Sequence, residues 1–313
     1  MKRVACKRLL FSLFLDLLIL GIALCVFALF HHVLPRQKGL FYGSSSAEKK
    51  TDFSQSFPEK FLPQGQVEET DGFYRDDSIC LTLKTHVQDG VTFYTADLYV
   101  KDVTQIKTAM AGGSFATGVA DSVLQMATDS NALLAVSGDY FGIRQRGVVI
   151  RNGKVYRKSV AHDVCVLYYD GTMETYAYAD FDVEKAISGG AWQAWDFGPE
   201  LLDKNGQAIF EFHPGIAGEN PRIGMGYYEP GHYVLVCVDG RQSHSRGMTL
   251  PEFALLFENL GCKKAYNLDG GHSAVMTYKE EIYSSPSKKG GRDISDIIFL
   301  SPPSYQNTQK EKK

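Results

Sequence analysis

Ala265-Tyr266-Asn267-Leu268-Asp269-Gly270-Gly271-His272-Ser273 carries an aromatic and aliphatic run into a carboxylate, two glycines and a polar pair, before Ala274-Val275-Met276 resumes an apolar run. Glycine reaches positive φ and leaves no Cβ in the way of a ligand. The stretch therefore sets a carboxylate and polar side chains beside exposed backbone N–H groups at the end of a buried strand. Asp-Gly is also the commonest hairpin signal. Taken alone, the stretch reads first as a tight turn.

The same ending recurs along the chain. Ala132–Val136 is a short apolar strand running into Ser137-Gly138-Asp139-Tyr140-Phe141-Gly142, and Tyr233–Val238 runs into Asp239-Gly240-Arg241. Arg222 follows the rigid Pro221 in Asn220-Pro221-Arg222-Ile223-Gly224. Three aspartates at the ends of apolar runs become a site if their strands share a sheet and an edge. Carboxyl groups in that arrangement suit glycosidic chemistry, one protonating a leaving oxygen and another stabilising positive charge at C1. Arginines suit a phosphate, which guanidinium contacts in bidentate fashion. Acids and arginines together fit a mixed sugar and phosphate ligand.

Other readings of these residues carry less support. Asp139 and Asp269 are the pair considered for a calcium ion, but no metal-ligand set is assigned and no cofactor is expected. His272 suits either general acid–base work or contact with a ligand. A His272–Ser273 nucleophile pair is disfavoured, because neighbours on an extended segment point to opposite faces, and Gly-x-Ser-x-Gly is absent. His162, His213 and His244 read as surface or core histidines.

The remaining patterns predict an α+β fold: a mixed, largely antiparallel sheet core with few helices, preceded by one N-terminal transmembrane helix. Ile79–Val87 and Val91–Val100 alternate like strands with one wet face, joined across Gln88-Asp89-Gly90. Gly147–Val155 reads as a hairpin across Asn152-Gly153, and Val164–Tyr169 with Met173–Tyr178 as another across Asp170-Gly171. Helices are expected over Val119–Asn131, Phe181–Ile187 and Pro251–Leu260, the last with Thr249 as N-cap and Glu252 facing it. Ile294–Leu300 reads as a terminal strand. Trp192 and Trp195, near Gly189-Gly190, suit core packing or stacking on sugar faces.

Composition narrows the function classes. The chain has 313 residues, 44% hydrophobic and 12% aromatic, enough to bury a sizeable core. Setting aside Lys2, Arg3, Lys7, Arg8 and Asp16 leaves 29 bases against 35 acids, a net charge of −6 beyond residue 30. An acidic body is poorly suited to nucleic acid. Leu9–Phe30 is a nearly unbroken apolar run of 22 residues, and about 20 such residues span a bilayer as a helix. The basic flank places residues 1–8 in the cytoplasm and the rest outside, and the run exceeds the usual signal-peptide core and lacks a small-residue cleavage site. Residues 31–72, rich in serine and charge, read as a stalk, although Phe53, Phe57 and Phe61 recur at helical spacing. The domain is expected over 73–301 and a polar tail over 302–313. No cysteines fall in Cys-x-x-Cys spacing, so zinc has no support.

In order along the chain, Asn220-Pro221-Arg222-Ile223-Gly224, Val238-Asp239-Gly240-Arg241 and Asn267-Leu268-Asp269-Gly270-Gly271-His272-Ser273 resemble the phosphodiester glycosidase family. Ala135–Phe141 looks like the upstream segment of that family and Phe197–Leu202 like its middle one. The likeness runs from about Val91 to Leu300, with Ser137 where the family usually has Asn and His272 where it usually has a small residue. The resemblance implies a hydrolase that cleaves the glycosidic bond of a sugar-1-phosphodiester, acting on a sugar-phosphate or polysaccharide substrate in cell-surface polymer or exopolysaccharide metabolism. It implies Asp139, Asp239 and Asp269 as catalytic, Arg222 and Arg241 as phosphate contacts, and Ser137, Asn267, Gly270, Gly271, His272 and Ser273 as substrate-binding. A surface glycan-binding or envelope-assembly protein without turnover, and a glycosyl or phosphoglycosyl transferase, are the competing readings.

Overall fold

The computed structural model describes residues 2–28, 40–41, 51–303 and 305, with only the backbone described for 2–10, 28, 40 and 41. The chain divides into two units, Met1–Lys38 and Gly39–Lys313. In the first, Lys2–Ala28 is one continuous helix on which Phe11, Phe14 and Leu17 are exposed. Among the described residues no helix is long and apolar enough to cross a membrane. The run Leu9–Phe30 reaches past residues 11–27, the part of that helix whose side chains are described.

The second unit is α+β, built on sheets of six, seven and five strands. Every ladder between the strands described is antiparallel, in keeping with the expected mixed, largely antiparallel core. Hairpins form where turn chemistry demands them. Ile79–Gln88 pairs with Val91–Val100, Gln88 lying opposite Val91. Asp89 and Gly90 between them take φ of 51° and 72°, the two positive values of a type I′ turn. Asn152 and Gly153, at 52° and 74°, do the same between Val149–Arg151 and Lys154–Arg157.

The inner faces of the three sheets meet in one core, and each outer face carries its own helix. In His232–Val238, residues Tyr233, Leu235 and Cys237 face the shared core, while Val234, Val236 and Val238 pack under the helix Leu250–Asn259. Val164–Tyr168 divides likewise, Cys165 and Leu167 inward, Val164 and Val166 toward the helix Val183–Ser188. Asp296–Leu300 sends Ile298 and Leu300 inward and Ile297 and Phe299 toward Val123–Asp129. These strands are buried on both faces and read as continuous apolar runs. Val91–Val100, expected to have one wet face, is likewise buried over most of its length, with Tyr94, Ala96 and Leu98 in the shared core and Val91 and Phe93 in the cluster under Leu250–Asn259.

Helix ends follow their caps. The Thr249 side chain accepts from Glu252 N–H at 3.3 Å, and the Glu252 carboxylate accepts from Thr249 N–H at 2.8 Å, the capping box read from sequence. The helix expected over Val119–Asn131 spans only Val123–Asp129, because Asp121 is held in a backbone bridge to Ile294 and Ser122 caps the first turn.

Other expectations change. Residues 51–72, read as stalk, pack on the domain. Phe53 is 4% exposed in the shared core and its N–H donates to the Lys101 carbonyl at 2.9 Å. Pro58 limits the segment to two 3-10 turns in place of a helix, and Glu68–Thr70 pairs with Phe73–Arg75. Burying a phenylalanine is worth about 1.5–3 kcal/mol, which a solvated spacer would forgo. Residues 31–39 and 42–50 of the predicted stalk lie outside the described residues. In the predicted tail Tyr305 is buried, with its ring edge-on to Tyr74. Residues 304 and 306–313 lie outside the described residues. Trp192 and Trp195 are core residues, not a sugar platform; the Trp192 indole N–H donates to the Ile106 carbonyl at 2.8 Å. Cys80, Cys165, Cys237 and Cys262 are buried free thiols.

Candidate active site

In the seven-stranded sheet Arg222 lies opposite Val238, and Ile223 opposite Leu268. The register therefore brings Arg222, Asp239 and Asp269 to one end of one sheet. Asp139 follows Leu134–Ser137 in the five-stranded sheet. The Asp269 N–H donates to the Gly138 carbonyl at 3.1 Å, joining the two sheet ends.

Close backbone approach explains the glycines. A Cβ on Gly270 would stand 2.5 Å from the Pro221 carbonyl oxygen, and one on Gly138 2.2 Å from Asp296 Oδ1, so neither position admits a side chain. Gly271 N–H donates to the same Pro221 carbonyl at 2.8 Å. The Arg241 guanidinium lies over Gly271, its Nη2 3.5 Å from where a Cβ would sit, and that Nη2 donates to Asn220 Oδ1 at 2.6 Å.

Asp239 is 2% exposed. Its Oδ2 accepts from the Tyr94 hydroxyl at 2.8 Å and stands 3.3 Å from His244 Nε2, and its Oδ1 accepts from Ser285 N–H at 2.9 Å. Burial raises its pKa, against the opposing bonds from Tyr94, Ser285 and His244. Asp269 is 5% exposed and pairs with Arg292 Nη2 at 3.1 Å. Arg292 Nε donates to Ser273 Oγ at 2.9 Å, and its guanidinium lies 4.6 Å from the centre of the Tyr140 ring. Burial raises the Asp269 pKa as well, opposed by Ser273, Arg292 and Arg144.

Asp139 is engaged elsewhere. Its Oδ2 lies 2.8 Å from Arg151 Nη2, and Arg151 Nε donates to Asp296 Oδ2 at 2.7 Å, all three side chains being enclosed. Two carboxylates thus share one buried guanidinium. Burial raises the Asp296 pKa, Arg151 opposes that, and the Asp139 charge adds to it. Asp139 Oδ1 also accepts from Phe141 N–H at 3.0 Å, fixing the turn in which Tyr140 adopts a left-handed φ of 53° and meets Arg292. The geometry commits Asp139 to Arg151 and to the turn that carries Tyr140.

Arg222 is 6% exposed and donates to the carbonyls of Met248, at 3.1 Å, and of Ile216 and Gly218, at 2.9 and 2.5 Å. Burial, with Arg241 adding to it, lowers its pKa to about 10. A buried guanidinium with no carboxylate partner among the described residues, beside a second arginine, favours an anion. Ser137 and Asn267 each donate to a backbone carbonyl, and Asn267 Oδ1 is buried without a hydrogen-bond partner among the described residues. The Ser137 hydroxyl donates to the Ser273 carbonyl, and Asn267 Nδ2 donates to the Gly198 carbonyl at 2.8 Å. His272 is exposed, its Nδ1 3.0 Å from Ser287 Oγ. Asp139 and Asp269 each face an arginine, and among the described residues no group of three or more His, Cys, Asp and Glu is placed to hold a metal.

Arg292, Tyr94, His244, Arg151 and Asp296 were not expected here. Two carry local signals: Arg292 follows Gly290-Gly291, and Arg151 interrupts the apolar Val148-Val149-Ile150.

A family model described as phosphodiester glycosidase matches residues 130–301. The SPbeta prophage-derived uncharacterized protein YomE of Bacillus subtilis (strain 168) is 30% identical over 200 residues, 60% of this chain and 31% of that protein. The chain thus spans about a third of the length of that relative. Among solved structures, the catalytic domain of zebrafish N-acetylglucosamine-1-phosphodiester alpha-N-acetylglucosaminidase, auto-inhibited by its pro-peptide, aligns with a TM-score of 0.58 and 20% identity, covering 77% of this chain and 87% of that one. A hypothetical protein from Synechocystis aligns with a TM-score of 0.57 and 13% identity, covering 76% and 64%. Both likenesses are of fold.

Proposed function

The chain belongs to the phosphodiester glycosidase family, and we propose that it hydrolyses the glycosidic bond of a sugar-1-phosphodiester. The observation that carries this reading is the pair Asp239 and Asp269, two buried carboxyl groups of raised pKa at one end of one sheet, with Arg222 and Arg241 beside them. Water attacks C1 and the C1–O bond breaks, the electron pair leaving with the phosphate oxygen. A phosphomonoester is already a good leaving group, so the arginines that hold its charge do more than an acid would. Asp269, ion-paired with Arg292, stabilises positive charge at C1. Asp239 takes the proton of the attacking water, its raised pKa matching it to that task, and the half-exposed His244 links it to solvent.

Leu9–Phe30 and its basic flank support a single-pass anchor, with the N-terminus cytoplasmic and the domain outside, serving cell-surface polysaccharide or glycoconjugate metabolism. The full-length protein in detergent is incubated with a sugar-1-phosphodiester, and free sugar and phosphomonoester are measured. Equal release of both is the expected result. Glycan binding without release would make the protein a binding module. Protease added to intact cells is expected to remove the domain, and full protection would reverse the orientation.

A further inference from the structure

The segment Tyr283-Ser284-Ser285-Pro286-Ser287-Lys288-Lys289-Gly290-Gly291-Arg292 contains three bases and no acid. It is fastened to three residues of the site. Ser285 N–H donates to Asp239, Ser287 Oγ stands 3.0 Å from His272 Nδ1, and Arg292 pairs with Asp269. Between the last two contacts, Gly291 N–H donates to the Lys288 carbonyl at 2.7 Å and closes a turn that leaves Lys288 and Lys289 exposed. Arg241, over Gly271, is exposed as well. Among the described residues no ion pair is formed by Lys288, Lys289 or Arg241, so their charge is open to a ligand.

One phosphodiester carries a single negative charge, which Arg222 and Arg241 together already exceed. Lys288 and Lys289 are surplus to it, and they stand beyond His272 on a body whose net charge is −6. We infer that the site draws its phosphodiester from a polyanionic chain, a polymer of repeating phosphodiesters whose neighbouring units lie along Lys288 and Lys289. The inference rests on the hydrolase reading for the scissile unit only. The surplus bases act through a field that salt screens over about 8 Å at physiological ionic strength, so they add affinity that falls with salt.

The test uses the full-length protein in detergent and measures binding, so it does not depend on turnover. The probes are long-chain inorganic polyphosphate, triphosphate and poly-L-glutamate, each at low and high salt. Long-chain polyphosphate is expected to bind about tenfold tighter than triphosphate at equal phosphate concentration, with the steeper salt dependence. Lys288→Gln/Lys289→Gln is expected to weaken the long chain about fivefold and flatten that dependence. Lys154→Gln/Lys204→Gln, with the same loss of charge on other surfaces, is expected to leave it unchanged. Equal loss in both double variants, equal affinity for long and short phosphates, or poly-L-glutamate binding as tightly as polyphosphate would each overturn the inference. If no sugar is released from any phosphodiester while these binding results stand, the hydrolase reading fails and the polyanion surface remains.

Discussion

The backbone N–H of Asp269 donates to the carbonyl of Gly138 at 3.1 Å, so the strand end bearing one acid is fixed to the residue before another. That bond makes the position of Asp269 depend on the turn around Asp139, although Asp139 itself pairs with Arg151. Under the proposed function the two aspartates then differ in task, Asp269 facing the reacting carbon and Asp139 holding the turn beneath it.

Asp269→Asn is expected to lower kcat/KM by about 10³-fold or more, the scale of losing a charge-stabilising group. Burial raises the carboxyl pKa, so the ionised form costs the folded state stability at neutral pH, a cost that disappears below the unfolded pKa. The Asn variant should therefore melt no lower than the parent at pH 7. A variant with full activity, or one that unfolds many degrees earlier, contradicts the assignment.

Arg151→Met leaves Asp139 and Asp296 facing each other without a cation. Removing one partner of a buried ion pair costs about 3–5 kcal/mol, which urea denaturation would register as a lower midpoint. Adding Asp139→Asn and Asp296→Asn should return most of that loss. An unchanged midpoint in the single variant would show that the buried trio is not needed for stability.

If Asp239 must be ionised, its raised pKa places the acid limb of the kcat/KM profile above the ordinary carboxylate range. His244 opposes that rise. His244→Phe should move the limb to still higher pH, and a pH–rate profile that stays where it was would remove His244 from the site.

Glu252 behaves in the opposite sense. Hydrogen bonds from Arg246, and then from Thr249, hold its carboxyl down to about 2. Its contribution is present above the unfolded value and is lost as pH falls through the folded one. The stability gap between the parent and Glu252→Gln should therefore be full at neutral pH and close as pH drops from about 4.5 toward 2. A gap that widens on acidification would contradict the capping box.

Much of this was legible locally. Asp89-Gly90, Asn152-Gly153 and Thr249 with Glu252 act through neighbours a few residues away, and they form as their chemistry requires. Asp239 and Asp269 stood out only as a recurring set, because a single Asp-Gly at a strand end is most simply a turn. Arg151 and Asp296 lie 145 positions apart, and no local pattern records which buried charges meet. Phe53 looked like part of a spacer because its partners belong to strands far along the chain. The helix-covered outer faces were hidden for the same reason, since a run apolar on both sides does not say what covers either.

The acids stand on strands locked into the shared core, whereas Lys288 and Lys289 stand on one turn secured by a few polar contacts. Catalysis and substrate choice are thereby separable. If the proposed hydrolysis and polyanion binding hold, descendants of such a chain could exchange residues 286–290 for another sequence and change the polymer that is bound while the strands carrying Asp239 and Asp269 are inherited intact.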